Sequence, residues 1–336
     1  MRVSLEALLA TGNVALADGA TGTNYFQMGL EAGEPPELWN IEHPERVREL
    51  HRAFVDAGAD IILTNTFGGN RLRLKLHRAE DRVLEINKQA AEIAGEVADA
   101  AARPVVVAGS VGPTGELFEP LGALTEADAL DVFTEQIDGL VAGGADVAWI
   151  ETMSAPAEIR AAARAAIAAG IPYTATGSFD TAGRTMMGLH PSGFADVFAG
   201  LEPQPLAFGA NCGVGASDIL VTLLAMGETG GGRRLISKGN CGVPHFQGSE
   251  IVYSGSPELM AEYARLAVDG GAAIVGGCCG TSPEHLRAMR VALDTHRAAD
   301  PPSTEQIIEH IGPLANSMPE SLAAQSARGR ERRRAR

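Results

Sequence analysis

The sequence predicts an α/β fold, a single (β/α)8 TIM barrel with a short, poorly ordered C-terminal tail. Three observations predict it. Short apolar, β-branched runs alternate eight times with Ala- and Leu-rich helical stretches between residues 14 and 295. The strand runs are apolar almost throughout, as parallel strands are when both faces are covered. The turn after the first run is Asp18-Gly-Ala-Thr-Gly-Thr23. It lacks the G-x-G-x-x-G spacing that would favour the competing architecture, a doubly wound open sheet.

The elements follow in order. The predicted strands are 14–18, 60–66, 105–110, 146–152, 172–178, 206–211, 235–239 and 272–277. The predicted helices are 44–57, 81–101, 125–142, 157–169, 217–227, 257–269 and 283–295, with Thr125 as an N-cap. The barrel domain is expected over 1–298. A C-terminal extension follows over 299–336: Pro301-Pro302 breaks the chain, a short helix is expected at 304–311, and the rest reads as loose.

Composition narrows the partners. The formal charge is −15, from 27 Lys plus Arg against 42 Asp plus Glu, which argues against nucleic acid and anionic membrane. The basic stretch Arg328 to Arg336 has no interleaved aromatic residue, so it reads as a solvated tail. No run approaches the roughly 18 apolar residues of a membrane helix. The N-terminal segment has no basic start followed by an apolar core. A cytoplasmic location is expected, where four cysteines serve as metal ligands or free thiols rather than a disulfide framework. An oligomer is compatible with these features.

In such a barrel the strand ends open onto one face, where active sites form. Asp18 closes the first strand, Thr66 the second and Glu151 the fourth; Cys212 closes the sixth, and Cys278 and Cys279 the eighth. Glycines flank the cysteines and allow sharp turns, so three thiolates can converge on one point with a fourth position open. Soft thiolates favour zinc, and an open position marks a catalytic site. The competing reading is three buried free thiols acting as small hydrophobes. Zinc on three thiolates activates water poorly but drives the proton off an arriving thiol, which suits alkyl transfer to sulfur. Cys241 is a rival ligand; it reads better as a free thiol, because a fourth thiolate would close the site. Asp18 and Glu151 suit a substrate ammonium group, and helix capping or loop salt bridges are their competing reading. Backbone N–H groups of the turn from Gly19 to Gly22 suit a carboxylate, and Thr66 adds a hydroxyl. An amino acid with a side-chain thiol fits these groups.

The chain resembles the homocysteine S-methyltransferase family. The matching segments are DGATGT (18–23), HPERVRELHRAFVDAGADIILTNTF (43–67), ET (151–152), ANCG (210–213), GNCGVP (239–244) and GGCCGTSPEHLRAMR (276–290). The resemblance covers about residues 10 to 295. It implies zinc on Cys212, Cys278 and Cys279. It also implies homocysteine held by Asp18, Thr66 and Glu151, with its sulfur in the open position. Asn240 matches a position that can fill the metal site when homocysteine is absent.

The methyl donor is less legible. Betaine is favoured, and it needs aromatic faces for its quaternary ammonium. Trp39 is the expected cage residue, with Tyr25 and Phe67 also near strand ends; packing of Trp39 as a loop anchor is the competing reading. Thr152 after Glu151 departs from the aromatic residue of animal betaine enzymes. Methyl transfer from a separate corrinoid protein, or from S-methylmethionine or S-adenosylmethionine, are the alternatives. A non-enzymatic zinc-stabilised binding module is disfavoured, since a structural zinc has four protein ligands.

Overall fold

The computed structural model of the chain describes residues 2–242, 244–247 and 250–316, with 244–247 and 250–252 as backbone alone. Ten strands are present among these residues: β1 Ala15–Leu16, β2 Ile61–Leu63, β3 Val106–Val111, β4 Val147–Met153, β5 Tyr173–Gly177, β6 Phe208–Cys212, β7 Leu235–Gly239, β8 Pro244–Gln247, β9 Glu250–Tyr253 and β10 Ala272–Gly277. Eight of them form one parallel sheet in the order β1-β10-β7-β6-β5-β4-β3-β2. A bridge between Ala17 and Ile61 joins its two edges and closes the barrel. This is the TIM barrel the sequence predicts.

The apolar strands are explained by alternation across two layers. Ile61, Leu63, Val106, Ala108, Val147, Trp149, Ile236 and Ile274 pack inside the barrel. Ile62, Val107, Ala148, Ile150 and Val275 face the surrounding helices. Each strand therefore buries both faces. Full burial of one such aliphatic side chain contributes about 1.5–3 kcal/mol.

The helices Pro44–Ala57, Val83–Ala100, Glu126–Ala142, Pro156–Ala169, Ala216–Gly227, Pro257–Asp269 and Pro283–Thr295 form the outer ring. Four begin with Pro at a first-turn position, where its missing N–H costs nothing. Thr125 caps its helix by accepting from the Asp128 N–H at 3.1 Å, as predicted. Between β5 and β6 the crossover is a 3-10 helix, Pro191–Phe198. Its Phe194 and Phe198 rings pack on Phe208 of β6 at 6.0 Å each.

Several features, this 3-10 helix among them, have no counterpart in the sequence reading, and three more bear on the two ends of the barrel. The helix Leu5–Ala10 buries Leu5 and Leu9 in the inner core. The hairpin β8–β9 is inserted after β7. Beyond the helix Thr304–His310, residues up to Asn316 pin back onto the barrel. Asp218 accepts from the Ala315 and Asn316 N–H groups at 2.9 Å each, and Ser217 Oγ donates to the Gly312 carbonyl at 2.8 Å. The basic stretch from Arg328 lies outside the described residues. Among the described residues, no helix is long and apolar enough to cross a membrane.

Candidate metal and amino-acid site

The thiols meet at one side of the barrel mouth. β6 ends at Cys212, whose φ of +62° lies in the left-handed region, and Gly213 follows at +72°. This reversal turns the Cys212 side chain out of the sheet pattern. It costs about 1–3 kcal/mol for a non-glycine residue. After β10, the Cys278 N–H donates to the Gly239 carbonyl at 2.8 Å. Gly277 is required there, because a Cβ would lie 2.2 Å from Thr281 Cγ2. The outcome is that the sulfurs of Cys212, Cys278 and Cys279 all lie within 4.8 Å of one another, with Cys212 and Cys279 at 3.9 Å.

This donor set fits zinc. Tetrahedral Zn–S bonds of about 2.3 Å place neighbouring sulfurs about 3.8 Å apart. The cluster lacks a fourth protein thiol. Cys241 is buried behind it, with its Sγ donating to the Gly255 carbonyl at 3.2 Å. Cys279 is pulled far below the ordinary thiol value, to about 3, first by hydrogen bonds from Cys212 and Cys278. Tyr253, at the end of the inserted hairpin, adds a further hydrogen bond to that sulfur.

Asn240 braces the cluster. Its Oδ1 accepts from the Cys279 N–H at 3.0 Å and its Nδ2 donates to the Gly213 carbonyl at 2.9 Å. It thus ties the two cysteine turns together from beside the thiol cluster.

Buried carboxylates stand beside the thiols, with Glu151 and Cys278 sharing the Asn211 side-chain nitrogen at 3.5 and 3.8 Å. Glu151 is 7% exposed; Ser110 Oγ donates to its Oε1 at 2.5 Å. Burial, acting against its charge, pushes the carboxyl up to about 7. Asp18 accepts from the Leu63 N–H at 2.7 Å through one oxygen, and from Lys238 Nζ at 2.9 Å through the other. Both members of that ion pair are 2% exposed. Burial works against the charge on Lys238, but attraction to Asp18 and Glu151 outweighs it and holds the ammonium above its ordinary value. Lys238 also lies 5.7 Å from the centre of the Trp149 ring.

Thr66 is fully buried at the same level. Its hydroxyl donates to the Ser110 carbonyl at 2.7 Å and pairs with Thr64 Oγ1 at 2.6 Å. Gly19 packs the first loop on the β10 turn, where a Cβ would meet the Thr281 carbonyl oxygen at 2.5 Å. Trp39 is 3% exposed, in the short helix Trp39–Glu42. Its ring meets Tyr25 at 5.1 Å and His43 at 5.4 Å, and the Arg46 guanidinium lies over it at 4.8 Å. Phe67, directly after Thr66, is 39% exposed.

The structure therefore brings together Asp18, Gly19, Thr66, Glu151 and the three cysteines, with Asn240 behind them. Sequence reading missed Lys238, Asn211, Ser110 and Tyr253. Lys238 did leave a signal, as a lone charge in the apolar run Leu235-Ile-Ser-Lys-Gly239.

The profile of the family described as homocysteine S-methyltransferase matches residues 15–293. The methionine synthase of Mycobacterium leprae is 31% identical over 300 residues, covering 83% of this chain and 24% of that protein. The chain thus spans about a quarter of that relative's length. The homocysteine methyltransferase MmuM from Escherichia coli superposes with a TM-score of 0.73 in its oxidized form, at 23% identity over 85% of this chain and 98% of that one. Its metallated form superposes at 0.72, with 23% identity over 85% and 99%. A methyltransferase from Methanosarcina mazei reaches 0.54 at 15% identity, over 84% and 94%. At these identities the solved structures speak to the fold alone.

Proposed function

The chain belongs to the homocysteine S-methyltransferase family, and from that premise we propose that it methylates the sulfur of homocysteine to form methionine, using zinc held by Cys212, Cys278 and Cys279. The observation that carries this reading is the triangle of sulfurs within 4.8 Å, next to the buried carboxylates of Asp18 and Glu151. Zinc there would supply a Lewis acid that favours the thiolate form of an arriving thiol near neutral pH. That MmuM has been solved in a metallated form is consistent with this choice.

The chain's own residues do the rest by placement. Glu151 receives the substrate ammonium in its ionised form. Asp18, whose carboxyl burial pushes up against the opposing pull of the Lys238 ammonium, adds a second acceptor. The turn at Gly19 offers backbone N–H groups to the substrate carboxylate, and Thr66 fixes the wall beside it. The thiol proton leaves to solvent. The sulfur lone pair then attacks the donor methyl carbon in line; a C–S bond forms, and the methyl–nitrogen bond breaks with its electron pair staying on the donor nitrogen.

Betaine is the proposed donor. A quaternary ammonium is held by aromatic faces, and Phe67 presents one at the mouth. Trp39, the cage residue expected from the sequence, is buried and packs on the Tyr25 ring. A second reading, a corrinoid protein donating in trans, is favoured by one observation. The loops after β1, β2, β3 and β5 carry exposed Phe26, Phe67, Leu117, Leu121 and Met186, an apolar rim of the kind that marks partner surfaces. A cytosolic location, in which thiols stay reduced, suits this reading.

The test is to incubate the zinc-loaded chain with homocysteine and methyl-labelled betaine and to examine methionine by mass spectrometry. Labelled methionine is the expected result. Zinc binding with perturbation by homocysteine, but no methionine, would reject betaine and favour the corrinoid donor.

A further inference from the structure

Asn211 connects the two halves of the site, and its orientation is determined by its partners. Its Oδ1 accepts from the Thr152 N–H at 2.8 Å and from Thr176 Oγ1 at 2.6 Å. A backbone N–H cannot accept, so the oxygen must face β4 and β5 and the nitrogen must face the mouth. One N–H of Nδ2 goes to Thr152 Oγ1 at 2.7 Å. The other lies between Glu151 Oε2 at 3.5 Å and Cys278 Sγ at 3.8 Å. Asn211 is fully buried, and it precedes Cys212, whose left-handed φ bends the chain at this point.

We infer that Asn211 is a positioning residue: it holds the Cys278 sulfur through an N–H···S hydrogen bond and couples that sulfur to Glu151. The inference rests on the zinc reading above. The shared N–H is the physical link. When a substrate ammonium takes the Glu151 carboxylate, the N–H is free to turn fully onto sulfur. It then draws charge from that thiolate and leaves the metal more electron-poor towards the arriving thiol. Outer hydrogen bonds of this kind fix ligand orientation, and their loss weakens metal affinity about 10–100-fold.

The test uses the full chain loaded with zinc for affinity and with cobalt(II) for spectroscopy. Asn211→Ala should weaken zinc binding about 10–100-fold, measured by chelator competition. It should also move the thiolate-to-cobalt charge-transfer band to lower energy and shrink the band shift that homocysteine causes. A purely structural Asn211 would lower stability and leave the band in place. Thr176→Val touches neither sulfur nor Glu151 and removes one donor that orients the amide. It should move the band the same way by less, and it decides the matter if Asn211→Ala does not fold. Folded variants with wild-type band position and zinc affinity would overturn the inference while leaving the zinc reading intact. A wild-type chain that takes up no zinc, or whose zinc affinity survives Cys279→Ala, would overturn both.

Discussion

The two ends of the barrel are built from the same strands and solve different problems. At the N-terminal end, Leu5 and Leu9 close the interior over an apolar layer that includes Ile61, Val106, Val147 and Ile236. At the C-terminal end the interior holds Lys238, two residues after Ile236, and Glu151, four after Val147, together with Asp18 and the three thiols. Backbone strain is also one-sided within the strands. Four non-glycine residues have positive φ among the described residues, and two of them, Thr152 and Cys212, lie in β4 and β6 at the mouth. The lesson is that the closed end supplies stability, which the open end spends on buried charge and strained turns.

The comparison can be broken most severely at the thiols. Cys279→Ala should abolish both zinc uptake and methyl transfer, read by metal analysis and methionine formation; full activity without zinc would contradict the account. Lys238→Met strands the buried Asp18 carboxylate. Removing one partner of a buried pair costs about 3–5 kcal/mol, so denaturant unfolding should show a large loss of stability together with weaker homocysteine binding. Loss of stability alone would mean that Lys238 serves only the fold.

Leu5→Ala probes the closed end. A buried Leu→Ala change costs about 2–5 kcal/mol, and a helix near the terminus belongs at the low end of that range. Stability should fall with the homocysteine KM unchanged. A raised KM would show that the two ends are not independent.

Glu151 gives a pH signature. Burial raises its carboxyl from the ordinary 4.5 to about 7. The folded, empty protein therefore favours the protonated form. That stabilising contribution is complete below about 4.5 and is lost as pH rises through about 7. Ammonium binding needs the ionised form, so homocysteine affinity should climb with pH and level off above about 7. Glu151→Gln should flatten that limb. It should also weaken binding about 10–100-fold, the equivalent of one charge-assisted hydrogen bond of about 1.5–3 kcal/mol. Calorimetric titration across pH reads both. The smallest effect is expected at the rim: Phe67→Ala should raise the betaine KM about 2- to 5-fold, from an exposed cation–π contact of about 0.5–1 kcal/mol. An unchanged KM would remove Phe67 from the donor site.

Much of this was legible in the sequence because it depends on local pattern. The apolar core of the expected strand 60–66 announces a strand buried on both sides, although only Ile61–Leu63 pairs as one and the polar 64–66 leave the sheet, and the adjacent Cys278-Cys279 between glycines announces convergence. What stayed hidden depends on tertiary placement. Nothing in Leu235-Ile-Ser-Lys-Gly239 states that the Lys points inward, because its partner Asp18 is 220 residues away. Asn211 carries no signal of its own in the sequence, and its role emerges only when Thr152, Thr176 and Cys278 surround it. The helix Leu5–Ala10 is too short to show periodicity, and only the open barrel floor explains its two buried leucines. Trp39 reads as a mouth aromatic from its position in the chain, yet its ring packs against Tyr25 and Arg46.

The central claim is that the three cysteines hold a zinc whose open position takes the substrate sulfur. Zinc K-edge absorption of the loaded chain, with and without homocysteine, tests it directly. The account predicts three sulfurs at about 2.3 Å, becoming four when homocysteine is added. Four sulfurs already present without substrate, or a coordination shell that homocysteine leaves unchanged, would contradict it.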